Sequence, residues 1–238
     1  KLMNKKNISV LGGGSWGTVL AYLASLNGNY VSLWMRDEEL VKTINKTNIN
    51  QRYLPNLNLG SRLEATSNIK EIVNADTIIF CIPSDAFREV SELASQYIKE
   101  SSHLVTATKG VEKEGFSLMS KILEEYYPSN PIGILSGPNL AEEIAAHHLS
   151  GTVIASKDTT LRSSVIKDFS TDFFKVYEND DPYGVEMGGA LKNIYAIACG
   201  IADGLDSGEN TIGMIMTRGL GEMGRLAASL GANPQTFL

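Results

Sequence analysis

The sequence has few cysteines, and this scarcity argues against a protein held together by disulfide bonds. Its 238 residues include only two cysteines, Cys81 and Cys199. Both lie in apolar runs, where a free, buried thiol is the ordinary state of a cysteine. Because the sequence implies no disulfide framework, we expect a protein of a reducing compartment, the cytoplasm.

The sequence also lacks long hydrophobic runs and an excess of positive charge. Its longest apolar stretches, such as 77–82, are far shorter than the roughly 20 residues that a membrane-spanning helix needs. Lysine and arginine number 21 against 27 acidic residues, and the lysines are dispersed, so the net charge is −6. We therefore expect no membrane span and no nucleic-acid partner. We also expect no secretory signal, with Met3 as the natural first residue.

The sequence does contain short β-branched runs that alternate with amphipathic segments, a pattern typical of a parallel sheet covered by helices. The predicted strands are 7–11, 30–34, 77–82, 103–107, 132–136, 151–155 and 173–177. The predicted helices are 16–27, 37–47, 84–99, 116–126, 139–147, 159–169, 183–203 and 210–231. No strand-like alternation follows Pro182. The sequence therefore predicts an α/β fold with a doubly wound, mainly parallel sheet at residues 3–182 and the start of an all-helical domain at 183–238.

Three glycines, Gly12, Gly14 and Gly17, follow the first predicted strand and open the first predicted helix. In a dinucleotide-binding turn, the first glycine permits a sharp bend and the second lets backbone approach a pyrophosphate. The third lets the helix pack against the strand, and free N–H groups of the first helical turn face the phosphates. A glycine-rich turn can also be a plain tight connection. The flanking strand and helix favour a dinucleotide site of the Rossmann type.

Ligands of an open parallel sheet bind outside the carboxyl ends of the strands, so residues directly after strands are candidates for function. Lys109 places a cation there, beside Gly110, although a solvated lysine in a turn is the ordinary alternative. Asn139 follows a later strand and is expected to cap the N-terminus of the next helix. That helix terminus could also offer N–H groups to a ligand oxygen.

The helix after Pro182 carries an unusual stripe of small residues. Every fourth position reads Gly184, Gly188, Lys192, Ala196 and Gly200. A glycine in a helix interior costs about 1 kcal/mol relative to alanine, so something must require the bare backbone. Close packing by a neighbouring element could explain the glycines, whereas a bound ligand would explain both the glycines and Lys192. Apolar residues cover the other faces, so we expect core surroundings that suit Lys192 to proton transfer.

The end of the second predicted strand bears on the choice of cofactor. Sites that prefer NAD usually place an acid there to bind the ribose 2′-hydroxyl, whereas a 2′-phosphate calls for arginine. This sequence has Arg36 followed by Asp37. A guanidinium can stack on adenine and fork onto a phosphate. The alternative is a surface pair of opposite charges with Asp37 as a helix N-cap. We expect NADPH to be preferred, with NADH also used.

Several blocks of sequence, in this order, resemble one known family. They are GGGSWGTVLA at 12–21, RYLP at 52–55, ATKGVE at 107–112, LSGPNLAEE at 135–143 and GVEMGGALKN at 184–193, with a further segment at 210–223. Nearly from end to end the chain resembles the bacterial NAD(P)-dependent glycerol-3-phosphate dehydrogenases. The resemblance implies the reversible conversion of sn-glycerol 3-phosphate and dihydroxyacetone phosphate, which supplies the phospholipid backbone.

The resemblance also implies roles for individual residues. Lys192 would be the proton donor and acceptor at the substrate C2 oxygen, and Lys109 would contact both substrate and cofactor. The other implied substrate residues are Gly137, Asn139 and Asn193. The implied cofactor residues are Gly12, Gly14, Ser15, Trp16, Gly17, Arg36, Tyr53 and Ala141. No metal is implied, the substrate is a small phosphorylated molecule, and we expect a homodimer.

The chain departs from the family pattern in two places. The family more often has serine or threonine where this chain has Asn139, and it continues past the position of Leu238 with residues that hold the substrate phosphate. We expect the sequence to be a truncated form of a longer protein. Two alternatives remain open: another two-domain dehydrogenase acting on a hydroxy acid or a ketopantoate-like substrate, and a dinucleotide-binding sensor without catalysis.

Overall fold

A computed structural model describes residues 5–72 and 74–237, so the expected natural start at Met3 and the last residue, Leu238, lie outside the described residues. The described chain forms one eight-stranded sheet with the spatial order β3-β2-β1-β4-β5-β6-β7-β8. The strands are β1 (Asn7–Leu11), β2 (Tyr30–Trp34), β3 (Leu63–Thr66), β4 (Thr77–Phe80), β5 (His103–Thr106), β6 (Ile132–Ser136), β7 (Ser150–Ala155) and β8 (Phe174–Asn179). Neighbours run parallel except β6 and β7, which are antiparallel. The carboxyl ends of β1 to β6 therefore share one edge.

Helices connect the strands and continue after them. They are α1 (Ser15–Leu26), α2 (Glu38–Thr47), α3 (Phe87–Ser95), α4 (Met119–Tyr126), α5 (Ala141–Ala145), α6 (Thr159–Phe169), α7 (Pro182–Gly204) and α8 (Glu209–Ser229). Short 3-10 turns span Ile69–Ile72, Ser84–Ala86 and Pro234–Phe237. The last two α-helices, α7 and α8, pack on each other, and within the described residues no strand follows them, as the sequence predicts for a helical segment.

Apolar side chains cover both faces of the sheet because the central strands are buried on both sides. Val10 and Ile79 belong to a core shared with α1 and α6, whereas Leu11 and Phe80 belong to a core shared with α3 and α4. Helices on both faces of a mainly parallel sheet define a doubly wound α/β fold. The predicted fold class is therefore confirmed.

The structure differs from the sequence prediction mainly at short elements. Strand β3 was not predicted, because its four residues, Leu63–Thr66, include only one β-branched side chain. The predicted helix at 84–99 is a 3-10 turn followed by the shorter α3, and the predicted helix at 116–126 begins only at Met119. Phe116 has a φ of +56°, which is incompatible with a continuous right-handed helix.

The junction between sheet and helices is held by a buried aspartate. Asp181 is the N-cap of α7, and its side chain accepts a hydrogen bond from the N–H of Gly184 at 3.0 Å. The same carboxylate accepts hydrogen bonds from the N–H of Asn233 and the hydroxyl of Thr236. These bonds tie the 3-10 turn at Pro234–Phe237 onto the start of α7. Across 5–72 and 74–237, no helix is long and apolar enough to cross a membrane.

Candidate functional site

The glycine turn after β1 uses its three glycines in different ways. Gly12 has a φ of +122°, and a Cβ there would lie 2.0 Å from the carbonyl oxygen of Cys81. A Cβ at Gly17 would lie 1.9 Å from the carbonyl oxygen of Gly12, so α1 packs directly on the turn. A Cβ at Gly14 would meet no atom within 4 Å. The protein itself requires two of the glycines, while the backbone at Gly14 faces open space.

Helix α1 begins in that open space with its first N–H groups available. It starts at Ser15, and no side chain caps its N-terminus. The Trp16 side chain is half-buried and packs against the core, where its ring centroid lies 6.3 Å from that of Phe174. An uncapped helix N-terminus beside bare glycine backbone is suited to a phosphate group.

Two lysines meet at the carboxyl edge of the sheet. The Nζ atom of Lys109, after β5, donates a hydrogen bond to the carbonyl oxygen of Gly137, after β6, at 3.0 Å. Burial lowers the pKa of Lys109, and the nearby charge of Lys192 lowers it further. Burial raises the pKa of the neighbouring Cys81 thiol to about 12, against the opposing effect of Lys109. The cations are therefore the reactive groups here, and the thiol is neutral and inert.

Helix α7 reaches this edge through a close contact at Gly189. A Cβ at Gly189 would lie 2.6 Å from the hydroxyl oxygen of Ser136 and 3.9 Å from Cγ of Lys109. Lys192 follows three residues later, so it lies on the same side of the helix, one turn further on. The structure thus brings Lys109, Gly137 and Lys192 together.

The glycine stripe on α7 serves protein packing at its first two positions. A Cβ at Gly184 would collide with the Asp181 carboxylate, and one at Gly188 would lie 3.2 Å from the Phe237 ring. Gly200, by contrast, has nothing within 4 Å. Close packing, not room for a ligand, therefore explains Gly184 and Gly188.

The surroundings of Lys192 differ from the sequence prediction. The expectation that core covers the other faces of α7 was wrong, because Ile194 and Ile197 are 60% and 64% exposed. Lys192 itself is half-buried, and Asn193 beside it is exposed. The prediction failed because apolar residues on a helix indicate a face suited to burial without showing what covers it.

Asn139 does not cap a helix, so that prediction was also wrong. Helix α5 begins at Ala141 with Leu140 in the N-cap position, and no side chain caps it. The Asn139 amide instead donates to the carbonyl oxygen of Gly151 at 2.8 Å. This bond ties the loop after β6 to β7, and a contact between elements distant in sequence has thus replaced the local cap.

The residues after β2 form an exposed charged cluster. Asp37 is the N-cap of α2, accepting from the N–H of Leu40 at 3.0 Å, and it also pairs with Arg52 at 3.4 Å. Arg36 pairs with Glu89 of α3 at 3.2 Å, not with Asp37. Arg36 is thus paired with Glu89 and Arg52 with Asp37, and all four side chains remain exposed to solvent. Sequence reasoning had not singled out Arg52.

The remaining cofactor candidates border a groove beside α1. Tyr53, in the loop after α2, lines a cavity together with the side of α5 that carries Ala145. Ala141, the first residue of α5, is half-buried against the core that includes α1. The structure therefore brings Tyr53 and α5 together on one side of the glycine turn.

Two side-chain contacts that the sequence did not reveal join elements near the candidate site. Arg88 of α3 forms a two-pronged contact with Glu112, which fixes the loop just after Lys109. Glu186 of α7 is buried and accepts hydrogen bonds from both the N–H and the hydroxyl of Ser120 at the start of α4. Burial raises the pKa of Glu186. Glu186 is the sole charged residue among 182–191, and this isolation was the feature of the sequence that could have revealed it.

Comparison with known proteins agrees with this geometry. Residues 7–162 match the model of the NAD-dependent glycerol-3-phosphate dehydrogenase N-terminus, and residues 181–238 match that of the C-terminus. Glycerol-3-phosphate dehydrogenase [NAD(P)+] from Alcanivorax borkumensis is 48% identical over 98% of this chain and 68% of its own length. The enzyme of that name from Acinetobacter baylyi is 51% identical over 97% of this chain and 65% of its own.

A solved structure shows the same fold. The crystal structure of glycerol-3-phosphate dehydrogenase from Coxiella burnetii superimposes with a TM-score of 0.93 and 36% identity, covering 98% of this chain and 71% of that one. This chain thus spans about two thirds of the length of the relatives it matches. Both family models match, the relatives are about half identical to this chain over the aligned residues, and the fold agrees. The chain belongs to the NAD-dependent glycerol-3-phosphate dehydrogenase family.

Proposed function

We propose that this protein interconverts sn-glycerol 3-phosphate and dihydroxyacetone phosphate by hydride transfer with NAD or NADP, and so supplies glycerophospholipid synthesis. The observation that carries the proposal is the contact of α7 with the sheet edge at Gly189, which places Lys192 one helical turn beyond Lys109 and its bond to Gly137. The relatives' names supply the substrate and cofactor classes. The open backbone at Gly14 and the uncapped start of α1 fit a dinucleotide phosphate.

The chemistry divides between the cofactor and the chain. A bound nicotinamide supplies or accepts the hydride. Lys192 gives a proton to the C2 oxygen in the reducing direction and takes it back in the oxidising direction. Lys109, held by its bond to Gly137, contributes positive charge toward the anionic substrate. Gly137, Asn139 and Asn193 complete the substrate contacts in this proposal.

An activity assay tests the proposal against its alternatives. We expect oxidation of NADPH in the presence of dihydroxyacetone phosphate, and none with a ketopantoate-like or β-hydroxy-acid substrate. Turnover of those substrates instead would indicate another two-domain dehydrogenase. Dinucleotide binding by the full-length protein without turnover of any of them would favour a sensor.

We propose NADPH as the preferred cofactor, with Arg36 and its neighbour Arg52 as the cations near the ribose. Arg36→Ala is expected to weaken NADPH binding by about 1.5–3 kcal/mol, the range for a charged hydrogen bond, and to leave NADH binding almost unchanged. Fluorescence titration of both cofactors measures the difference. Arg62→Ala is the matched control, because Arg62 is exposed and precedes β3 at the opposite edge of the sheet. Equal losses for both cofactors would contradict a role in binding the 2′-phosphate.

We propose that the division between a dinucleotide-binding domain at 3–182 and a helical domain at 183–238 follows the structural junction. The sheet ends with Asn179, and α7 begins at Pro182. A cytoplasmic location is proposed as well, because Cys81 and Cys199 are free thiols.

A homodimer is also proposed, and the exposed face of α7 supports it. Ile197, Ile201 and Leu205 are exposed at helical spacing, and a contiguous apolar face of this kind promotes association. Replacing Ile197 and Ile201 together by glutamate is expected to shift the protein from dimer to monomer in sedimentation experiments. Leu149→Glu, at an exposed residue just before β7, should leave the dimer intact. A monomeric wild type would contradict the proposal.

A further inference from the structure

Asn50 is a wholly buried amide beneath the glycine turn, and its exposed fraction is 0%. It lies in the loop after α2. Its Nδ2 donates to the carbonyl oxygen of Gly13 at 3.0 Å and to the hydroxyl oxygen of Thr18 at 2.8 Å. Its Oδ1 accepts from the N–H of Tyr53 at 3.3 Å. One planar group thus joins the turn, helix α1 and the loop that carries Tyr53.

The bond to Gly13 determines which way the next N–H points. The carbonyl of Gly13 and the N–H of Gly14 belong to one planar trans peptide, so they point in opposite directions. Because Asn50 holds that carbonyl toward the interior, the Gly14 N–H points to the other side. That N–H makes no hydrogen bond with any residue in 5–72 or 74–237, and the space beside Gly14 is open.

The reverse orientation of the Gly13–Gly14 peptide would weaken the binding of an anion at this turn. If the Gly13 peptide rotated, its carbonyl oxygen would face the space that the phosphates need, and it would repel them. The Gly13 carbonyl also accepts from the Thr18 hydroxyl at 3.4 Å, and the Tyr53 N–H also donates to the backbone carbonyl of Asn50 at 3.2 Å. The Asn50 amide joins these groups because it carries a donor and an acceptor on one rigid plane. An asparagine amide has both, whereas an aspartate carboxylate has only acceptors.

We propose that Asn50 is a positioning residue for the pyrophosphate of the dinucleotide. It fixes the Gly13–Gly14 peptide so that the Gly14 N–H can donate to a phosphate oxygen, and it holds the Tyr53 loop against the same turn. Asn50 itself touches no ligand. This inference rests on the proposed function, because it requires a dinucleotide at the glycine turn.

The test is Asn50→Asp, which keeps the shape and the acceptor but removes the donor. We expect the dissociation constants of NADPH and NADH to rise about tenfold to a hundredfold. Adenosine 2′-monophosphate, which lacks the pyrophosphate, should bind as it does to the wild type. A purely structural role would weaken all three ligands alike, and that result would overturn the inference. If the aspartate variant does not fold, Asn50→Ala should show the same pattern with a smaller loss.

The chain offers a matched control in Asn45 of α2. Its amide also bridges distant backbone, donating to the carbonyl oxygen of Ala65 and accepting from the Ala65 N–H, both at 2.8 Å. Asn45→Asp should lower the melting temperature and leave dinucleotide affinity unchanged. If the wild type binds neither NADPH nor NADH, the proposed function fails and the inference fails with it. If the wild type binds and both Asn50 variants bind equally well, only the inference is overturned.

Discussion

Replacing Lys192 by alanine is expected to lower kcat by about a hundred- to ten-thousand-fold, the range for loss of a positioned acid or base. Lys192 projects from α7 one turn beyond Gly189, where the helix touches Ser136 and Lys109. Its proposed role is at the substrate C2 oxygen and not at the cofactor phosphates, so dinucleotide affinity should remain nearly unchanged. Steady-state kinetics with dihydroxyacetone phosphate, together with a separate cofactor titration, would measure both quantities.

Two further variants sharpen this prediction. Lys192→Arg should not restore activity, because a guanidinium does not give up its proton near neutral pH. Lys121→Ala is the control, since Lys121 is an exposed lysine of α4 that pairs only with Glu124 on its own helix. An alanine variant at 192 that kept more than about a tenth of the wild-type kcat would show that Lys192 is not the acid–base group.

The second large effect is expected at the glycine turn, where Gly14→Val should abolish dinucleotide binding in a protein that still folds. Gly14 has φ −71° and ψ −178°, an extended conformation that a β-branched residue adopts readily. A Cβ there meets no protein atom within 4 Å, so the added methyl groups would occupy only the space proposed for the pyrophosphate. Titration with NADPH and a thermal melt separate loss of binding from loss of fold.

Gly213→Val provides the comparison for that substitution. Gly213 lies on the exposed face of α8, and a Cβ there also meets nothing within 4 Å. Valine at this position should raise stability slightly, because glycine is the poorer helix former, and should leave cofactor binding intact. Unchanged NADPH titration in a folded Gly14→Val protein would reject this turn as the phosphate site.

The parts of the fold that sequence predicted well are those with local causes. The long strands have continuous apolar runs, and the turn at Gly12 follows from its own backbone requirements. Strand β3 and the antiparallel direction of β7 depend on partners distant in sequence, so no local pattern predicts them. The prediction that a helix begins at residue 116 was wrong because Phe116 adopts a positive φ.

The same distinction applies to the candidate site. Lys109 was singled out by its place after a strand, and strand order explains why it meets Gly137. The contact between Asn139 and Gly151 joins the loop after β6 to strand β7, and only the folded sheet brings them together, so a local cap was the wrong expectation. The exposure of Ile197 depends on what packs on α7, which periodicity does not reveal.

The proximity of Lys109 and Lys192 implies a conflict between thermal stability and activity at this edge of the sheet. Burial lowers the pKa of Lys109, and the nearby cation of Lys192 lowers it further. Selection for thermal stability alone would replace one of them with a neutral side chain of similar length, such as methionine. In the proposed function a phosphorylated substrate supplies the opposing negative charge, and the unfavourable pair is then retained for the sake of the ligand.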